Sequence, residues 1–153
     1  MHLKVRWHRA LPVVHEEGIY TAGNLEDFDG VAGVYVFCRV WGTRLVPLYI
    51  GQATNIARRI PQQLNNHRLM NEIERSGIGE KVVLIGEYLG LKGQMLGKAL
   101  EVIEKALIRH ALSNGYPIFN RSGTRIRSNR IDFEKNLKAQ RLFGRTILSE
   151  IRR

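Results

Sequence analysis

Two tyrosines, an arginine and a glutamate are the side chains of this sequence whose types and spacing offer chemistry. Tyr35 and Tyr49 stand 14 residues apart, Arg59 follows 10 residues past Tyr49, and Glu104 lies in KALEVIEKALIRH. Other hydrolytic devices are missing. Cys38 is the single cysteine and has no nucleophile pattern around it, there is no glycine-rich phosphate loop, and no paired aspartates form a metal cluster. Glu104 has Leu100 at i−4, Leu107 at i+3 and Ile108 at i+4, so it is a carboxylate bordering an apolar stripe with no cation at helical spacing. Burying such a charge is costly unless a divalent cation or Arg59 compensates it. Glu101, in contrast, has Lys105 at i+4, the favourable orientation of an ordinary surface pair.

Strands and helices must bring these residues together. VYVFCRVW, the Gly42-Thr43 turn and RLVPLYIG read as a β-hairpin, with Pro47 consigning the second strand to a sheet edge. KVVLIGEYL, from Lys81 to Leu89, then pairs with the first strand and leaves Val34 to Val40 in the middle. Opposite residues of an antiparallel pair share a face, so register decides whether the tyrosines can cooperate. A three-residue loop, Trp41-Gly42-Thr43, pairs Tyr35 with Tyr49 and Phe37 with Pro47, and a bulge has the same effect; an unbulged two-residue Gly42-Thr43 turn separates the tyrosines.

QATNIARRIPQQLNNHRLMNEIERSG reads as a helix interrupted at Pro61, with Ile56 and Ile60 at i,i+4 and with Arg58 and Arg59 about two turns in. Leu96, Leu100, Ile103 and Leu107 form the stripe of a further helix that Asn114-Gly115 stops. Leu3, Val5 and Trp7 alternate as in a strand, which Pro12 ends; His15 to Asp29 reads as loop or a short helical turn; a last helix runs from about Asp132. The fold expected is α+β: a small three-stranded antiparallel sheet flanked by helices, with an extra N-terminal strand and a C-terminal helix. Residues 1–153 form one domain, with a core over 33–120 and a basic extension over 121–153.

A chain of 153 residues is long enough for one sizeable core. Its 24 Lys and Arg against 14 Asp and Glu give a formal charge of +10 and imply an acidic partner, nucleic acid being the commonest. From Arg109 onward there are 11 basic residues and 3 acidic ones, so the bias lies in the C-terminal third. The lone cysteine fits a reducing compartment, and no signal peptide or membrane span is legible; a cytoplasmic location is expected.

Taken in order, Gly33-Val34-Tyr35, Tyr49-Ile50-Gly51, Arg59, Glu104 followed by Leu107-Ile108, and Pro117 and Asn120 in NGYPIFN resemble the GIY-YIG nuclease family. The match covers Gly33 to Asn120. The literal triplet Gly18-Ile19-Tyr20 lies 29 residues before Tyr49, beyond the reach of the family's single hairpin. Gln52 departs from the pattern, standing where some relatives carry lysine.

The resemblance implies a metal-dependent endonuclease hydrolysing phosphodiester bonds in DNA, single- or double-stranded, with one divalent cation, Mg²⁺ or Mn²⁺, held by Glu104. Arg59 would contact the scissile phosphate, and Tyr35 or Tyr49 would position and deprotonate water. A tyrosine near its usual pKa of about 10 needs neighbouring positive charge for that role. His67 would assist at the phosphate, and Gly33, Gly51 and Asn120 would shape the site. Arg58, Arg121, Arg125, Arg127 and Arg130 would bind backbone phosphates. A homo-oligomer is compatible with this reading. The alternative is a nucleic-acid-binding module on the same fold without cleavage activity.

Overall fold

A computed structural model describes residues 2–90, 95–120, 128–132, 134, 136–143 and 146–150. Its centre is strand β4, since Val34, Tyr35, Val36, Phe37 and Cys38 are all buried and both faces of the strand are covered. In chain order the strands are β1 (Val5–Trp7), β2 (Leu11–Glu16), β3 (Ile19–Ala22), β4 (Gly33–Trp41), β5 (Arg44–Ala53) and β6 (Lys81–Tyr88). They form one six-stranded sheet in the order β3-β2-β6-β4-β5, with β1 also on β6; every pairing is antiparallel. The expected arrangement of β6, β4 and an edge β5 is present, but within a six-stranded sheet, larger than the three strands and one extra N-terminal strand anticipated.

The extra width comes from the N-terminus. β1 covers the β6 edge at Gly86 to Tyr88, and β2 covers it at Val82 and Val83. Pro12 therefore lies inside a second strand and does not close the first. The stretch expected as loop is a hairpin, β2 to β3, turned by Glu17 (φ 50°) and Gly18 (φ 79°). Two consecutive positive φ values make the tight turn whose twist suits a hairpin. A short 3₁₀ turn, Leu25–Phe28, follows.

Helices α1 (Ile56–Leu64) and α2 (His67–Glu74) cover one face of the sheet. Ile56, Ile60, Leu64, Leu69, Met70 and Ile73 pack there with Tyr35, Phe37 and Leu48. The break falls at Asn65-Asn66 and not at Pro61: α1 runs through the proline, and the chain restarts where Asn66 Oδ1 accepts from Leu69 N at 3.2 Å. Helix α3 (Leu96–Ser113) covers the other face, where Ile108 and Ala111 meet Val36, Cys38 and Ile50. It ends at Asn114-Gly115 as expected, with Tyr116 N donating to Ala111 O at 3.1 Å and Gly115 N to Leu112 O at 3.0 Å.

The C-terminal third differs from the single helix expected. Strand β7 (Ser128–Asp132), helix α4 (Leu137–Phe143) and strand β8 (Thr146–Glu150) succeed one another, and β7 pairs with β8 so that Ile131 opposes Ile147. A helical stripe through Leu137 and Ile147 is thus divided between a helix and a β-rich run, Thr146-Ile147, that prefers a strand. No helix among the described residues is long and apolar enough to cross a membrane.

Candidate active site

Register brings the two tyrosines onto one face through a bulge, the second of the two routes expected, and not through the three-residue loop. Trp41 pairs with Arg44, so the turn is the two-residue Gly42-Thr43, which by itself would separate them. A bulge restores the relation: Phe37 pairs with Tyr49 but Cys38 with Pro47, leaving Leu48 as the extra residue. Pro47 has no N–H for the ladder, and a bulge is where an edge strand accommodates that. Tyr35 consequently opposes Gly51 and lies diagonal to Tyr49, with ring centroids 6.4 Å apart.

The Tyr35 ring lies across Gly51. A Cβ there would collide with Cζ and Oη of Tyr35, so glycine is required for the ring's position. Gly33 has the same kind of role, since a Cβ would run into Gly86 O of the neighbouring strand.

A residue absent from the sequence-based set joins the tyrosines. Gln63 Nε2 donates to Tyr35 Oη at 2.7 Å and to Tyr49 Oη at 3.4 Å. Its side chain is buried because it stands seven residues after Ile56 and three after Ile60, on the apolar stripe of α1. A buried amide must be hydrogen-bonded, and here the two phenols satisfy it. The sequence signal was a polar residue on that stripe, i+4 from Arg59.

Arg59 is exposed on α1, and its Nη1 donates to Gln62 Oε1 at 3.1 Å. The helix is fixed at its start by Asn55, whose Oδ1 accepts from Arg58 N at 3.3 Å and whose Nδ2 donates to Asp29 Oδ1 at 3.0 Å. Arg58 is exposed beside Arg59 along a shallow cleft with Asn55 and Gln62. Burial pushes the Tyr35 hydroxyl above its usual range, opposed by Gln63 and by the Arg59 guanidinium. In turn the Tyr35 hydroxyl raises Arg59, with smaller contributions of the same sign from Tyr49 and Glu104.

Glu104 reaches this region at the outer side of β5. Although α3 covers the opposite face, Glu104 and Tyr49 line one cavity of about 260 Å³, together with Asn66, Glu72, Phe119 and Asn120. The Glu104 side chain is half-buried, and Gln52 Nε2 donates to its Oε2 at 3.4 Å. Burial raises its pKa, Gln52 opposes the rise, and Glu101 adds to it. No ion pair forms on Glu104 among the described residues, whereas Glu101 pairs with Lys105 as expected.

Asn120 braces the edge strand. Its Oδ1 accepts from Ile50 N at 3.0 Å and its Nδ2 donates to Ile50 O at 2.6 Å, as a neighbouring strand would. Phe119 N extends this with a bond to Leu48 O at 2.7 Å.

A hydrated divalent cation fits what is present. Glu104 is a carboxylate with no ion pair among the described residues, opening onto a cavity that Arg68, paired with Glu72 at 3.7 Å, also lines, and Mg²⁺ is commonly held by one or two carboxylates while keeping several waters. No group of three or more His, Cys, Asp or Glu side chains suited to a metal occurs among the described residues.

Tyr49, Glu104 and Asn120 are thus brought to one cavity beside β5, with Tyr35 and Gly51 behind it and Gly33 at the head of β4, while Arg59 lines a separate cleft with Arg58. His67 opens α2 as an exposed residue and does not line the cavity between Tyr49 and Glu104. Arg121, Arg125 and Arg127 lie outside the described residues, and Arg130 falls in β7. Comparison with protein-family models, curated proteins and solved structures finds no match for the chain.

Proposed function

We propose that this chain is a GIY-YIG-type endonuclease that hydrolyses phosphodiester bonds in DNA with the help of one divalent cation. The observation carrying this reading is the junction at the β5 edge. Gln63 links the Tyr35 and Tyr49 hydroxyls, Arg59 is electrostatically coupled to Tyr35, and Glu104 shares a cavity with Tyr49.

Arg59 binds the scissile phosphate through charge-assisted hydrogen bonds, and these strengthen as charge builds on its oxygens. Tyr49 is half-buried and lines the cavity, so it orients the attacking water and takes its proton in the phenolate form. Tyr35 is 1% exposed and acts from behind, fixing Gln63 and through it Tyr49. The water oxygen bonds to phosphorus, the bond to the leaving sugar oxygen breaks, and that oxygen is protonated from solvent. A divalent cation held by Glu104 would neutralise charge on the phosphate and the leaving oxygen.

A second reading, nucleic-acid binding without cleavage, is favoured by one observation. Burial favours the protonated Tyr35 hydroxyl, and its bridging partner Gln63 is a neutral amide that does not accept a proton as a base would. Incubation with single-stranded and duplex DNA in Mg²⁺ or Mn²⁺ separates the two. Nicking or cleavage abolished by EDTA is expected; retention of DNA on the protein with every strand intact in either metal would overturn the nuclease in favour of the binding module.

A further inference from the structure

A second cavity, of about 360 Å³, adjoins the candidate site and shares Glu72 and Phe119 with it. The Leu48 bulge separates them: Tyr49 faces one and Leu48 the other. Val46, Pro47, Leu48 and Pro117 give the second cavity largely apolar walls, and Phe119 supplies an aromatic face. Two guanidinium groups, Arg39 and Arg75, also line it. Arg75 is exposed at the end of α2, with no acidic partner among the described residues. Arg39 donates from Nη1 to Ile78 O at 3.1 Å, its Cζ lies 5.0 Å from the Trp41 ring centroid, and its buried Nε has no acceptor among the described residues.

We propose that this cavity is a nucleobase subsite, taking an unstacked base from the strand whose phosphate lies at Arg59 and Glu104. The proposal rests on the nucleic-acid reading of that neighbouring site. Its volume is at the small-ligand end of binding pockets. Apolar and aromatic walls suit the faces of a planar base, which stacks on such side chains irrespective of sequence. The guanidinium groups suit acceptors on a base edge, such as O6 and N7 of guanine. A shared wall between the cavities lets one nucleotide place its phosphate in the first and its base in the second.

The test is a titration of the full-length protein, without added metal, with 2′-deoxyguanosine 5′-monophosphate and, separately, deoxyribose 5-phosphate. The Arg39 Nε–H and Trp41 indole N–H signals are followed by NMR. The nucleotide should move both signals and the base-free phosphate should move neither. Arg75→Ala should weaken nucleotide binding by roughly tenfold, and Phe119→Leu should weaken it as well while the folded spectrum is retained. Equal responses to both phosphates, shifts confined to residues away from this cavity, or unchanged affinity in Arg75→Ala would each overturn the subsite. Because no cleavage is read, the two proposals fail separately. DNA cleavage with a silent nucleotide titration sinks the subsite alone, and nucleotide-specific shifts in a protein that leaves DNA intact sink the nuclease alone.

Discussion

Two β-hairpins in this chain each carry a glycine, an aliphatic residue and a tyrosine, and they use the glycine for opposite purposes. In β2-β3, Gly18 has φ 79° with nothing within 4 Å of a Cβ position, so the glycine serves a turn that faces solvent. In β4-β5, a Cβ on Gly33 would meet Gly86 O, and one on Gly51 would meet the Tyr35 ring, so these glycines serve close approach. The tyrosines divide in the same way. Tyr20, in the edge strand β3, is half-buried at the margin of the same core and stacks on His15, with centroids 4.0 Å apart. Tyr35 is buried under α1 and bonded to Gln63. Of two similar triplets, only the one whose register sets it against Gly51 and Tyr49 joins its tyrosine to Gln63.

Each hairpin can be used to break that distinction. The largest effect is expected where α1 meets the β4-β5 tyrosines: Arg59→Ala should lower divalent-dependent DNA cleavage by about 10²- to 10³-fold, as for loss of a donor to developing charge. Cleavage rates measured under single-turnover conditions check this, and a change within twofold would detach Arg59 from the chemistry. Tyr35→Phe should come next, slowing cleavage by up to roughly 10²-fold through misplacement of Gln63 and Tyr49. It should also cost about 1–2 kcal/mol in urea unfolding, because the buried Gln63 amide loses its shorter bond. Tyr20→Phe should leave both measurements nearly unchanged.

The glycines give a smaller contrast, in stability. Gly51→Ala should destabilise by about 1–3 kcal/mol, since the Tyr35 ring must move out of a packed core. Gly18→Ala should cost about 1 kcal/mol, from the left-handed backbone alone. Equal losses with unchanged near-UV circular dichroism in both variants would erase the difference between a packing glycine and a turn glycine.

The smallest expected effect is one of pH. Burial raises the Glu104 pKa, so folding favours its neutral form, and the native state loses stability as pH rises through that raised value. Glu104→Gln should therefore be the more stable protein at neutral pH and should converge with wild type below the usual carboxylate range. Thermal unfolding across pH 3 to about 7 reads this; wild type gaining on the variant as pH rises would reverse the assigned sign.

The β4, β5, β6 and α3 elements were legible because period and composition agree there: a buried β-rich run, a proline at the edge, and a stripe closed by Asn114-Gly115. Glu104 was separable from Glu101 by its neighbours alone. The N-terminal hairpin was not legible, because a glutamate, Glu17, occupies a positive-φ turn position where Asn, Asp or Gly would signal a turn. The position of the bulge was equally hidden; Pro47 announced an irregular edge, but only pairing shows that Leu48 is the extra residue. Gln63 escaped notice because a polar residue on an apolar stripe acquires meaning only when the two phenols that bond it are in place.

The central claim is that Glu104, on α3 beside β5, completes a metal-dependent site with Tyr49 and Arg59. The most direct measurement compares cleavage of single-stranded DNA, duplex DNA and RNA by wild type and Glu104→Ala in Mg²⁺ or Mn²⁺. The account predicts divalent-dependent cleavage of DNA by wild type and its loss in Glu104→Ala, with the folded spectrum retained. Equal cleavage by the two proteins would contradict it.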